Sequence, residues 1–133
     1  MLLLTAILAT AQTAALEVGS EQFDLECIGV SGVNIRRSEV QQVAKAELAP
    51  QRISIDLSKK LWNFNGAANP SPLTVSNAEL YFELETFGFG TASVTISRTS
   101  GQWVMISKSE ASTAMRYYQC QRTTFTPMAA NRF

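Results

Sequence analysis

The sequence predicts a mainly β protein: a single antiparallel β-barrel or tightly curled sheet. Within it, residues 38–48 form either one short helix or a long irregular β connection. Three observations lead there. Apolar and polar residues alternate with period two along several short runs, which sends one side of each run to a core and the other to water. Turn-forming residues separate those runs. Two cysteines, Cys27 and Cys120, stand near the two ends of the expected domain.

The chain begins with an expected export signal, residues 1–15, followed by one domain, residues 16–133. Leu2, Leu3, Leu4, Ile7 and Leu8 form an apolar core without charge, and Thr13-Ala14-Ala15 is a small-residue cleavage site. Ala9-Thr10-Ala11 is a second such site, and no Lys or Arg precedes the apolar run. Gln12 and Glu17 interrupt the stretch well short of the roughly 20 apolar residues that a membrane span takes. The expected address is therefore periplasmic or secreted, with no membrane span. In that compartment two cysteines are most simply a disulfide. Their Cα atoms are expected about 4.4–6.8 Å apart, and closing so long a loop is worth about 4–5 kcal/mol on the chain-entropy model.

The strands follow in order. Phe23, Leu25 and Cys27 alternate with Asp24 and Glu26; a breaker, Gly29 to Gly32, comes next. Ile53, Ile55 and Leu57 alternate with Ser54, Asp56 and Ser58; Asn65-Gly66 and Asn69-Pro70-Ser71-Pro72 are further breakers. Leu80, Phe82 and Leu84 alternate with Tyr81, Glu83 and Glu85, and Phe87-Gly88-Phe89-Gly90 marks a bend. Val94 and Ile96 lead into the turn Thr99-Ser100-Gly101-Gln102, after which Trp103 to Ile106 returns as a hairpin arm. Met115 to Arg122 is the last strand. The expected core contains Leu25, Ile55, Leu57, Leu80, Phe82, Leu84, Val94 and Ile96, with Ser54, Glu83 and Glu85 exposed. The helical reading of 38–48 rests on the capping-box pattern Ser38-Glu39-Val40-Gln41 and on the shared helical face of Val40, Val43 and Ala44, closed by Pro50.

Taken together, Phe23-Asp24-Leu25-Glu26-Cys27-Ile28-Gly29, Arg52 to Leu57 with Lys60-Leu61-Trp62, Val94 to Gly101, and Cys120 with Phe125 carry a resemblance. The chain resembles a group of small exported proteins of alphaproteobacteria, mostly of unknown function. The likeness runs along nearly the whole domain through short motifs. It implies an antiparallel β fold and a periplasmic address, and no activity. Many members have a second cysteine pair after the tryptophan, where this chain has Asn63 and Phe64.

Composition excludes more chemistry than it suggests. With 46% hydrophobic residues the chain is expected to fold rather than stay disordered. The net charge is +0, without the clustered base of a nucleic-acid surface. The charge is uneven, however. Glu17, Glu21, Asp24 and Glu26 precede the first base, Arg36, whereas Arg98, Lys108, Arg116, Arg122 and Arg132 outnumber Glu110 near the end. If the first and last strands are neighbours, these ends attract. The chain has no His, so histidine-dependent triads are impossible. No nucleotide loop or calcium loop occurs, and oxidised thiols argue against zinc. No metal or cofactor is expected, and no catalytic residues.

Two candidate sites remain. Glu83 and Glu85 lie two apart on one strand face, about 7 Å, which suits a carboxylate pair for glycoside hydrolysis; the same pattern describes any solvated face. Trp62 and Phe64, with Asn63 and Asn65, form an aromatic and amide stretch suited to sugar or peptide binding. The competing reading puts Trp62, Trp103 and one of Tyr117 and Tyr118 in the core of a small barrel. The terminal Phe133 matches the ending of outer-membrane barrels, but such barrels need about eight or more long strands with an apolar outer band, and Pro127 interrupts the last segment. The functional expectation is a non-catalytic binding or envelope-associated domain with a protein or glycan partner and no nucleic acid. Inhibition of a cell-wall hydrolase is one alternative and a hydrolase using Glu83 or Glu85 another.

Overall fold

The alternation at Phe23, Leu25 and Cys27 opens a strand that runs much further than the glycines after it suggest. The structure, a computed structural model, describes residues 21–65, 69–86 and 90–128. The expected export signal, Gly66, Phe87-Gly88-Phe89 and Phe133 lie outside the described residues. Strand β1 spans Gln22–Arg36, and the run Gly29 to Gly32 is a bulge inside it rather than a loop, with the register shift between Gly29 and Ser31. Glycine is needed there because Leu48 packs directly onto the Gly29 backbone, where a Cβ would collide with its side chain.

The region 38–48 is not a helix. Arg37 and Ser38 both take positive φ, 50° and 70°, the left-handed pair that closes a two-residue hairpin. The chain returns as β2, Glu39–Val43, paired with Gly32–Arg36 of β1. Only a single 3-10 turn, Lys45–Glu47, uses the helix-forming residues. Cross-strand hydrogen bonds to a ready neighbour outweighed a capping pattern whose apolar face would have been small, since Val40 remains 62% exposed.

The remaining strands are β3 (Gln51–Asp56), β4 (Leu61–Phe64), β5 (Ser71–Pro72), β6 (Thr74–Val75), β7 (Glu79–Thr86), β8 (Gly90–Ser97), β9 (Gln102–Lys108) and β10 (Ser112–Thr123). Their order in one antiparallel sheet is β5-β4-β3-β1-β10-β9-β8-β7-β6, with β2 attached to β1. The two outermost strands of that order are consecutive in the chain. Ser71 and Pro72 pair with β4, Thr74 and Val75 pair with β7, and only Leu73 separates them. Leu73 N donates to Lys60 O at 2.9 Å. One short passage thereby nearly closes the sheet into a barrel, and the proline run predicted as a breaker serves as a strand at that seam.

Inward-facing side chains fill the barrel. Phe23, Leu25, Ile53, Ile55, Leu73, Leu80, Val94 and Ile96 are buried, while Leu57 and Leu84 are half-buried against them. An aromatic column crosses the interior. Phe64 lies edge-on to Trp62, Trp62 stacks on Phe82 at 4.0 Å between centroids, Phe82 meets Trp103 edge-on at 5.8 Å, and Trp103 meets Tyr118 at 5.4 Å. The indole N–H groups of Trp62 and Trp103 are buried there without a hydrogen-bond partner.

Cys27 and Cys120 are directly opposite each other on β1 and β10 and form the disulfide. Their Cα separation, 4.0 Å, falls below the expected range because they are a cross-strand pair on immediately adjacent strands. The first and last strands are indeed neighbours, yet among the described residues their opposite charges do not pair. Asp24 and Glu26 take Arg52 of β3 instead, at 3.0 and 2.7 Å.

The expected exposure of Ser54 is overturned: it is 3% exposed, and Asp24 is 0% exposed. Both lie on the outward face of the sheet, opposite each other in register. The chain after β10 folds back over them. Thr126 donates its backbone N–H to Asp24 Oδ1 at 2.9 Å and its hydroxyl to Oδ2 at 2.6 Å. Period-two alternation assumes water on the polar side, and a returning tail removes that water. Burial pushes the Asp24 carboxyl up, but the hydrogen bonds from Thr126, Ser54 and Arg52 outweigh it and hold the group below its ordinary value. Asp56 is held low in the same way, burial being outweighed by Gln22, the Lys59 N–H and Ser58. Asp24→Asn is therefore expected to lose about 1–3 kcal/mol in urea unfolding at neutral pH. Both folded-state pKa values lie below 3.8, so their contribution is complete above that pH and is lost as pH falls through the lowered values. The wild-type curve should drop steeply there and the variant's less so.

Candidate functional site

One end of the barrel is open. Its edge is built by the β8–β9 turn, by the β6–β7 connection and by the last residues of β10. Gly101 holds the first of these in place at φ 76°. Its N–H donates to Ser97 O at 2.9 Å, its carbonyl accepts from Cys120 N at 2.8 Å, and a Cβ there would collide with the Cys120 carbonyl. The turn thus lies flat against β10 beside the disulfide. Ser97 Oγ accepts the Ser100 N–H at 3.1 Å and shares a hydrogen bond with Thr99 Oγ1 at 3.1 Å. Arg98 ties the turn to the β6–β7 connection: its N–H donates to Ala78 O at 2.8 Å and its Nη1 to Ser76 O at 2.6 Å.

Within this rim lies a cavity of about 580 Å³, within the range of small-ligand sites, which occur in barrel mouths. Its floor is apolar: Phe23, Leu25, Leu80 and Ile96, with Cys120 at the side. Its rim is polar: Asn77, Ser97, Thr99, Ser100 and Gln121, with Arg98 and Arg122. The Arg122 guanidinium sits over the Phe23 ring, 4.0 Å from the centroid, a cation–π contact. Among the described residues, no carboxylate lines the cavity. Glu79, opposite Ser97 in register, lies outside the lining.

The residues proposed from the sequence lie elsewhere. Trp62 is 4% exposed and belongs to the aromatic column, and Phe64 is half-buried beside it. The competing reading, with Trp62, Trp103 and Tyr118 in the core, describes their placement. Glu83 and Glu85 are exposed on β7 as expected, and neither lines the cavity. Glu83 Oε1 accepts the Tyr81 hydroxyl at 3.0 Å, which raises the Tyr81 pKa. Asp56 is consumed by Gln22, Ser58 and Lys59. Among the described residues, no group of three or more His, Cys, Asp or Glu could hold a metal ion.

Arg98 and Arg122 were missed. A signal for them existed: Arg98 directly precedes the turn Thr99–Gln102, and Arg122 stands two residues beyond Cys120. Pairing Leu25 with Arg122 across β1 and β10, together with the approach of Gly101 to Cys120, brings both to one barrel end. That approach is a tertiary fact with no local trace in the sequence.

Fold and cavity define a small disulfide-tied antiparallel β-barrel with a ligand-sized opening at one end. No family model, no curated protein and no solved structure matches this chain. Among the described residues, no helix is long and apolar enough to cross a membrane.

Proposed function

We propose that this is an exported, non-catalytic binding domain that holds a small ligand in the mouth of its barrel. The cavity carries the reading: an apolar floor under a hydrogen-bonding rim is the usual makeup of a small-molecule site. No carboxylate among the described residues lines it and the chain has no histidine, which favours binding over hydrolysis. Export rests on the apolar N-terminal run with its small-residue cleavage site and on a disulfide that joins the first and last long strands. Protein recovered outside the cytoplasm should begin at Leu16.

The binding reading is tested with the neutral fluorescent probe N-phenylnaphthylamine. It should bind one-to-one with a gain in emission. Ser100→Trp, on the exposed turn, should block the mouth and remove that gain while lowering the unfolding free energy by no more than about 1 kcal/mol, since it forfeits only the exposed hydrogen bond from the Gln102 N–H to Ser100 Oγ. No saturable gain, or a gain untouched by Ser100→Trp, would overturn it.

A further inference from the structure

Resting on the reading of the barrel mouth as a ligand site, we infer that its ligand is a small amphiphile with one anionic head group, carboxylate or phosphate. The head would lie at Arg98 and Arg122 and the apolar body on Phe23, Leu25, Leu80 and Ile96.

Charge is the discriminating observation. Among the described residues, every ion pair belongs to Arg52, which binds Asp24 and Glu26. Arg98 and Arg122 line one cavity, and neither meets a carboxylate among the described residues. Arg98 spends one N–H on the Ser76 carbonyl, a neutral acceptor that orients the guanidinium without cancelling its charge. Arg122 rests on the Phe23 ring, which likewise leaves the charge in place. Both guanidiniums line the same mouth, so an anion held there would meet two positive charges. A guanidinium also offers paired donors that match the two oxygens of a carboxylate or phosphate. Cationic ligands are correspondingly excluded.

The floor sets the rest of the ligand. Its four apolar side chains are each buried, between 2% and 6% exposed, so they offer a compact surface rather than a tunnel into the barrel. The interior beyond them is filled by the aromatic column. A short chain or a compact aromatic body fits the cavity of about 580 Å³; a long lipid tail would have to leave it. The hydroxyls and amides of Asn77, Ser97 and Gln121 can solvate the junction between head and body.

Isothermal titration of the disulfide-intact protein with four octyl compounds tests this: octanoate, octyl phosphate, octanol and octyltrimethylammonium. At least one of the two anions should bind tenfold or more tighter than octanol, and the cation should not bind. Binding of octanoate alone points to carboxylate ligands and of octyl phosphate alone to phosphate ligands; either supports the inference. Arg98→Gln with Arg122→Gln should weaken the anions at least tenfold more than it weakens octanol. Arg98→Lys with Arg122→Lys should retain the preference, because it keeps both charges. Octanol binding as tightly as both anions would overturn the anionic head and leave the mouth as a binding site. No binding of any of the four, together with no response to the neutral probe, would remove the site itself.

Discussion

Phe82→Ala is expected to cost about 3–5 kcal/mol, a large share of the roughly 5–15 kcal/mol that stabilises a domain of this size. Phe82 is 2% exposed and is the middle member of the aromatic column. It stacks on Trp62 at 4.0 Å and meets Trp103 at 5.8 Å. Truncation removes the ring and leaves a void between two indoles, which pack too tightly against their own strands to collapse into it. Those indoles already carry unpartnered N–H groups, so water entering the void is a second route to loss of structure. Urea unfolding measures the effect. Tyr81→Ala, one residue away on the opposite face, should change stability by only about 0.5 kcal/mol. A small loss at Phe82 would place it outside the core and contradict the barrel.

Replacing both cysteines, Cys27→Ala with Cys120→Ala, should cost about 2–5 kcal/mol. The bond spans a sequence separation of 93 and joins β1 to β10, so it restricts nearly the whole unfolded chain. Much of the loss arises in the unfolded state, so the folded variant should keep its native spectrum at low temperature. Reduction of the wild type should lower the unfolding free energy measured in urea by a similar amount, and the midpoint with it. Two free thiols by mass spectrometry, or an unchanged midpoint on reduction, would refute this. The bond also bears on the mouth: the Cys120 N–H donates to the Gly101 carbonyl and so holds the β8–β9 turn, and reduction should weaken probe binding before global unfolding.

Much of this architecture was legible locally. Alternation at Phe23 to Cys27, Ile53 to Asp56, Leu80 to Glu85 and Val94 to Ser97 located strands and most of the core. The turn at Thr99 to Gln102 is where it was read, and its glycine has the positive φ that its role there requires. The cysteine pair implied that the first and last strands are neighbours, and they are. Local patterning failed where another part of the chain supplied the environment. The capping pattern at Ser38 lost to a strand already waiting in β1. Gly29 to Gly32 resembles a loop until Leu48 packs against it. Ser54 and Asp24 look solvated until Thr126 returns over them. Trp62 and Phe64 precede a turn, as exposed binding aromatics do, yet the sheet curls around Phe82 and draws Trp62 inside.

By itself the sequence determined a β-rich, disulfide-tied domain without histidine chemistry, because side-chain alternation and composition are properties of a residue and its near neighbours. Tertiary structure alone decided the seam at Leu73 that nearly closes the barrel, the buried outer cluster around Asp24, and the cavity that gathers Arg98 and Arg122. Each depends on closing a sheet whose contacting residues lie tens of positions apart, and no local period encodes which strand ends meet at the same mouth.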